Sequence, residues 1–340
     1  MRLRFLELPA DERRVYINEA AARRSVSPVM IEKDFWVCWV LAVLFGSEFR
    51  DALVFKGGTS LSKVFGVIAA SRRTSTSPWR LPFSACPPDD PGSRTQADKW
   101  MEAAEEACTS AVEDRVQPAL ESIASEVLGE REGPWFEFAI DEATHSPVLL
   151  FHYPTTQPAG FEYLMRSVKL EFGSLTDQQP TDWHPVRPWI ADVLKESFGD
   201  WACTVVALDV HRTFWEKATI LHAEYHRSPD KPTPVRFSRH YADTVALAGH
   251  AWAAAAVDRP DLRERVVAWK QRFFGSAWAR YDLARPPTFK LVPPKEREAS
   301  LRVDYAAMRE MFLAGPPAFD DILRSLERLE RRINGVSNGA

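Results

Sequence analysis

A chain of 340 residues, 45% hydrophobic and 26% charged, is long enough for two domains, or one domain with a large appendage, and has the composition of a folded soluble protein. Its formal net charge of −4 excludes a global attraction to nucleic acid, so any such contact must rest on local patches. Cys38, Cys86, Cys108 and Cys203 follow neither a metal-ligand nor a disulfide spacing, the N-terminus has no apolar signal core, and the apolar run Phe35–Phe45 is too short to cross a bilayer; the expectation is a cytoplasmic protein without a membrane span.

Residues 11–24 and 28–46 read as helices, the second opened by Ser27-Pro28 and carrying Ile31, Phe35, Trp39 and Ala42 at helical spacing. Ala52–Phe55 reads as a short strand and Ser60–Val67 as a helix start. From Ala69 to Pro88 no pattern holds; the segment is rich in Ser, Thr, Arg and Pro. Residues 96–128 are helical in pattern, followed by strand-like runs at Trp135–Ile140, Val148–Tyr153, Ser167–Phe172 and Cys203–Leu208. A long helix covers Arg212–His226. Beyond the Pro-containing linker Ser228–Pro234 the chain is helical apart from 285–294, and ends in an amphipathic helix, Asp320–Ile333, with Ile322, Leu326, Leu329 and Ile333 on one stripe. The organisation expected is an α/β domain with N-terminal helices over 1–227 and a helical domain over 235–334.

Four constellations carry chemistry. In Val54–Lys63 a strand runs into Gly57-Gly58 and then a helix opened by Thr59 and Ser60; the glycines let backbone approach a ligand closely, and a helix start offers unpaired N–H groups to a phosphate. The same turn also serves as a plain strand-to-helix connection, and it is neither a Walker loop nor a dinucleotide fingerprint. In Arg166–Gly173, Lys169 and Glu171 share the strand face opposite Val168, Leu170 and Phe172, which suits either a solvated polar face or a metal-ligating carboxylate. Lys217 flanks the inward stripe Phe214, Ala218 and Leu221, where a lysine either snorkels or aims its ammonium at a triphosphate. Asp243, ahead of Val245-Ala246-Leu247, reads as a helix-start carboxylate or as part of an acidic set; the histidines, His240 included, have no metal spacing.

Together these strings, with Ile31-Glu32-Lys33-Asp34-Phe35-Trp36-Val37, Ser238–Asp243 and the tail from Val292 to Met311, resemble the AbiEii/AbiGii-type toxin family of nucleotidyltransferases. The resemblance implies an α+β fold, with a polymerase-beta-like nucleotidyltransferase core built on a mixed sheet and a helical C-terminal part. It implies transfer of a nucleoside monophosphate from an NTP to an acceptor, RNA or tRNA, with Mg²⁺ as cofactor and a cognate antitoxin as partner. On that reading Gly57, Gly58, Thr59, Ser60 and Lys63 hold the triphosphate, Glu171 supplies a metal-binding carboxylate, Lys217 neutralises the phosphates and Asp243 completes the acidic or positioning set.

One departure matters. The family pattern continues into a strand of the type Phe-Ser-Glu-Asp-Ile-Asp-Leu, whose two aspartates share a face and hold the metal ions. This chain has Ala70-Ser71-Arg72-Arg73-Thr74-Ser75-Thr76-Ser77 there, and the adjacent Asp89 and Asp90 would point to opposite faces of a strand. Back-translated as GCT-TCT-CGG-AGG-ACA-TCG-ACC-TCT, those residues read one phase over as TTC-TCG-GAG-GAC-ATC-GAC-CTC, which encodes Phe-Ser-Glu-Asp-Ile-Asp-Leu. Residues 69–87 are therefore expected to be an out-of-phase translation of the metal-binding strand, with a compensating shift near Cys86–Pro88; a divergent loop is the rival origin. Either way the literal sequence places Arg72 and Arg73 where cations should bind, so this chain is expected to be impaired in transfer. Two further readings remain: a catalytically dead remnant that only binds its antitoxin or RNA, and a purely structural α/β protein.

Overall fold

Pro28 at the first helical position, followed by apolar residues on every side, makes the helix that organises the N-terminal half. The computed structural model describes residues 3–67, 92–142, 144–157, 166–199, 201–309 and 315–335. The out-of-pattern segment 69–87, Asp89 and Asp90 lie outside the described residues. The chain divides into two units, the first holding described residues 3–64 and 102–207, the second 65–67, 92–101 and 208–335.

In the first unit, α1 (Arg4–Glu7) and α2 (Ala10–Arg24) precede α3 (Pro28–Gly46). Helix α2 has Asp11 and Glu12 in its first turn and Arg23 and Arg24 in its last, matching the helix dipole, and closes on Ser25 in the left-handed region. Phe35, Trp36, Trp39, Val40 and Leu41 of α3 are all buried. A 3₁₀ turn at Arg50–Ala52 then leads to α4 (Gly58–Lys63). The expected strand at Ala52–Phe55 is thus shortened. Its first residue is in the 3₁₀ turn, and Phe55 makes a parallel bridge to Ala207, its N–H donating to Val206 O at 2.6 Å.

Helix α5 (Arg94–Ala111) continues through a π-helical turn at Val112–Val116 into α6 (Gln117–Leu128), so the single helix expected over 96–128 carries an interruption. The Glu121 carboxylate accepts from the N–H groups of Trp135 and Phe136, both at 2.8 Å, and so aims the next strand. An antiparallel sheet follows in the order β1 (Phe136–Ile140), β2 (Pro147–Phe151), β3 (Val168–Glu171), with Leu149 opposite both Phe138 and Leu170. Its apolar face meets α3. Phe151 stacks on Trp39 at 5.3 Å between ring centroids and on Phe136 at 4.7 Å.

A second, two-stranded sheet pairs β4 (Thr181–Val186) with β5 (Cys203–Leu208); α7 (Lys195–Phe198) lies between them in sequence. Strand β4 is not anticipated from Thr-Asp-Trp-His-Pro-Val, because only Val186 at its end is buried and no apolar alternation marks it.

The second unit is helical: α8 (Val210–Tyr225), α9 (Ser238–Gly249), α10 (Pro260–Phe273), α11 (Lys295–Ala307) and α12 (Phe319–Ile333). Asp209 caps α8 by accepting from Arg212 N at 2.9 Å. Phe214, Trp215, Ala218 and Leu221 of α8 form its core seam, and the stripe Ile322, Leu326, Leu329 and Ile333 of α12 is buried as expected. The framework over both units is α+β, as the sequence implies.

His222 sits in this core with no exposed surface. Lys290 N–H donates to its Nδ1 at 3.0 Å, so the proton is on Nε2, which donates to Arg280 O at 3.0 Å. Burial pushes the imidazole down to about 4, the nearby His226 adding to the effect. Because the folded form resists a proton that the unfolded chain accepts near pH 6.5, this contribution is intact above that pH and is lost as the pH falls towards about 4. Stability of the unit is expected to fall by about 2 kcal/mol between pH 7 and pH 5. Denaturant titrations at the two pH values check it, with a shallower pH dependence expected for His222→Gln.

Candidate functional site

The first candidate set lies in the first unit. Gly57 has φ 87° and ψ −167°, a backbone conformation that a residue with a Cβ resists, so the turn between Phe55 and α4 requires glycine at this position. Gly58 then begins α4. Ser60 is buried and its hydroxyl donates back to Gly57 O at 2.9 Å, while Ser62 donates to Thr59 O at 3.0 Å. The Ser60 and Ser62 hydroxyls are thus turned into the helix, and Gly57 and Gly58 are half-exposed. Lys56 donates to Thr176 Oγ1 at 2.6 Å and so ties the turn to the loop that follows β3.

Strand β3 displays Lys169 and Glu171 on the face opposite the buried Val168 and Leu170, as the alternation requires. The Lys169 ammonium lies 2.6 Å from Glu171 Oε1 and 2.5 Å from Asp141 Oδ2. Burial alone would lower its pKa; the hydrogen bonds to Asp141 and Glu171 outweigh this and hold it above the usual lysine value. A lysine thus occupies the space between two carboxylates, one of them the expected metal ligand.

Lys63 points elsewhere. Its ammonium is buried, 2.5 Å from Asp34 Oδ1, donates to Arg187 O at 2.9 Å, and lies 4.9 Å from the Trp189 ring centroid. The pairing has a plain physical cause: an ammonium this deep is costly unless a carboxylate and a carbonyl meet it. Asp34 and its neighbour Glu32 come from the string Ile31–Val37. Glu32 accepts from Thr156 N at 2.6 Å, Thr155 Oγ1 at 2.6 Å and Thr156 Oγ1 at 2.8 Å. Both acidic side chains are structural anchors, a role that an acidic–basic–acidic run inside an apolar helix could have signalled.

The second candidate set lies in the second unit. Lys217 Nζ donates to Asp243 Oδ2 at 2.8 Å; Asp243 is 1% exposed and the Lys217 side chain 12%. Two residues singled out separately, on α8 and α9, are partners. Asp243 is not a helix-start carboxylate. Helix α9 begins at Ser238, where Asp304 accepts from Ser238 N at 2.9 Å, and Asp243 sits in mid-helix.

Magnesium does not fit the residues described. Glu171 is engaged by Lys169, and among the described residues no group of three or more His, Cys, Asp or Glu side chains is placed to hold a metal ion. Over Ala70–Ser77, where the resemblance leads to the expectation of paired aspartates, the sequence has only Ala, Ser, Arg and Thr.

A glycine turn opening a short helix, small sheets that include an antiparallel β1-β2-β3, and a helical C-terminal part fit an α+β nucleotidyltransferase fold. The family described as nucleotidyl transferase AbiEii toxin, Type IV TA system, matches residues 81–325, and the chain belongs to it. The matched span includes Glu171, Lys217 and Asp243, and Gly57–Lys63 lies before it. Membership in a toxin family of toxin–antitoxin systems implies an antitoxin partner. No curated protein matches the chain at a significant level. Among the described residues no helix is long and apolar enough to cross a membrane.

Proposed function

We propose that this toxin-family chain binds an NTP through the Gly57-Gly58 turn and the first turn of α4, with RNA, including tRNA, as the acceptor class, and that its present sequence is impaired in the transfer step. The observation that carries the nucleotide reading is the positive φ of Gly57 immediately before a helix start, on a segment held by the Phe55–Ala207 bridge and by Lys56. Backbone N–H groups of Gly58, Thr59 and Ser60 supply the phosphate contacts, and the side chains of Thr59 and Ser60 shape the turn. Lys217, oriented by Asp243, is assigned to phosphate neutralisation on its chemistry and on family membership. Lys63 is assigned to the fold. Mg²⁺ would normally activate the attacking oxygen and stabilise the leaving one. With Glu171 engaged by Lys169 and no paired aspartates in the sequence, no step is assigned to it here. That engagement also favours the second reading, a chain that keeps its nucleotide, antitoxin or RNA contacts without turnover.

Gly58→Asp separates binding from folding. A carboxylate in the first turn of α4 suits the helix dipole, which favours folding, yet it repels a triphosphate; a thermal melt of the variant checks that it is folded. At about 6 Å and an effective dielectric constant of about 20 the repulsion is about 3 kcal/mol per charge pair, enough for at least a tenfold loss of affinity. Calorimetric titration of ATP and GTP into the wild-type chain and Gly58→Asp is the measurement. Equal affinities, or no NTP binding by the wild type, would refute the assignment.

A further inference from the structure

From the last turn of α10 onwards the chain presents an exposed strip that the proposed transfer chemistry does not use. Gln271, Arg272, Phe274, Trp278 and Arg280 are all exposed, Phe274 at 41% and Trp278 at 46%. The aromatic residues that α10 shares with α5 lie beneath: the Phe273 ring is 4.6 Å from that of Trp269 and 5.0 Å from that of Trp100. Arg94 fixes the bend by donating to Phe273 O and Gly275 O, both at 3.3 Å. At Gly275 a Cβ would lie 2.4 Å from Gln271 O, so the bend admits only glycine without a shift of backbone. Phe274 and Trp278 are therefore displayed on a fixed support.

The charge around them is positive. Residues 271–285 carry three arginines and one aspartate, in a chain whose overall charge is −4. Arg227 lies over the Trp278 ring at 5.8 Å from its centroid. Arg280 is paired with Asp282, but the exposed side chains of Arg272 and Arg285 have no hydrogen-bond or ion-pair partner among the described residues. Two unpaired guanidinium groups and two exposed aromatic rings within one short stretch of chain are the groups that pair phosphates and stack bases. A protein partner would be expected to bury the rings but would leave the arginines to find acids; a single-stranded polyanion with π-faces satisfies both features at once.

We infer that the Gln271–Arg285 strip is a binding platform for single-stranded nucleic acid, with bases stacking on Phe274 and Trp278 and the backbone neutralised by Arg272 and Arg285. The inference rests on the proposed transferase function only in making the bound strand the acceptor; the platform itself stands on the exposure, the charge and the fixed bend of the strip.

The test is fluorescence anisotropy of the full chain with labelled 12-nucleotide RNA and DNA of the same mixed sequence, across a salt series. Phe274→Ala and Trp278→Ala should each weaken binding about tenfold, since both rings are exposed and their loss spares the core. Arg272→Gln combined with Arg285→Gln should reduce the salt slope by about 1.4, the value for two phosphate contacts on a single strand. Equal affinity for the two oligonucleotides assigns recognition to stacking, and preference for RNA adds the 2′-hydroxyl; both outcomes support the platform. It is overturned if the wild-type chain binds neither strand, if the four substitutions leave affinity and salt slope unchanged, or if Trp278→Ala alters only the oligomeric state in light scattering. ATP titration of Trp278→Ala keeps the two ideas apart: NTP binding should be unchanged, and oligonucleotide binding without any NTP binding would refute the transferase reading while leaving the platform intact.

Discussion

Returning the reading frame of Ala70–Ser77 to Phe-Ser-Glu-Asp-Ile-Asp-Leu, with the second shift placed near Cys86–Pro88, should raise nucleotide transfer by about 10³-fold or more over the chain as written. The magnitude follows from what the missing carboxylates do. Bound divalent ions contribute several kcal/mol of charge stabilisation in phosphoryl transfer, and each 1.36 kcal/mol is tenfold in rate, so losing the metal site costs at least about three decades. The chain as written has Thr74 and Thr76 where the rephased sequence has its two aspartates, and Arg72 and Arg73 directly before them add positive charge, so metal binding is expected to be opposed further. The remaining expected ligand, Glu171, already faces an ammonium.

Three proteins decide the matter: the chain as written, the rephased chain, and the rephased chain with both restored aspartates changed to asparagine. Incorporation of labelled NMP into bulk RNA with Mg²⁺ should be near background for the first and third and robust for the second. A rephased protein that melts cooperatively but is as inactive as the original would sink the frameshift explanation. Robust Mg²⁺-dependent incorporation by the chain as written would sink the claim of impairment. Sequencing the gene across codons 65–92 tests the origin independently of activity.

Periodicity made the frame of this fold readable, and pairing over long sequence separations hid much of the rest. Helix α3 follows from its Ser27-Pro28 start together with apolar spacing, and the stripe of α12 from apolar spacing alone, because a helix buries side chains by position on its surface. Strands β1, β2, β3 and β5 are found within a residue or two for the same reason, at period two. Strand β4 escapes because its extended form comes from pairing with β5, and its own side chains are mostly at the surface. Among the candidate residues, Lys169 and Glu171 are correctly read as sharing a face, but the third member, Asp141, comes from beyond the end of β1 and has no local signature. Lys217 and Asp243 stand out individually, yet only the packing of α8 on α9 shows that they are each other's partner. Lys63 illustrates the limit most clearly. In a string that reads as a phosphate loop its ammonium suggests an anion ligand, and only the structure shows the contact with Asp34, 29 residues earlier, that gives it a bracing task.

That task implies a large and separable stability effect. Asp34→Ala should destabilise the first unit by about 3–5 kcal/mol, because it strands a buried ammonium and leaves the Trp189 N–H, now 2.7 Å from Asp34 Oδ2, without its acceptor. The side chains of Asp34 and Lys63 are each only 5% exposed, so little water is available to compensate. Replacing both partners with apolar residues of similar size, Asp34→Leu with Lys63→Met, removes the stranded charge and should lie within about 2 kcal/mol of wild type, the residual cost being the orphaned Trp189 N–H and Arg187 carbonyl. Guanidinium unfolding of Asp34→Leu, of Lys63→Met and of the double variant gives the coupling directly, and a cost below about 1 kcal/mol for Asp34→Ala would show that the pair is not a brace. The double variant also settles the role of Lys63 in nucleotide binding. If its ammonium only fastens the end of α4 to α3, a stable double variant keeps wild-type affinity for ATP. If Lys63 is a phosphate ligand, that variant stays folded and loses the affinity, and the triphosphate site extends through the whole of α4.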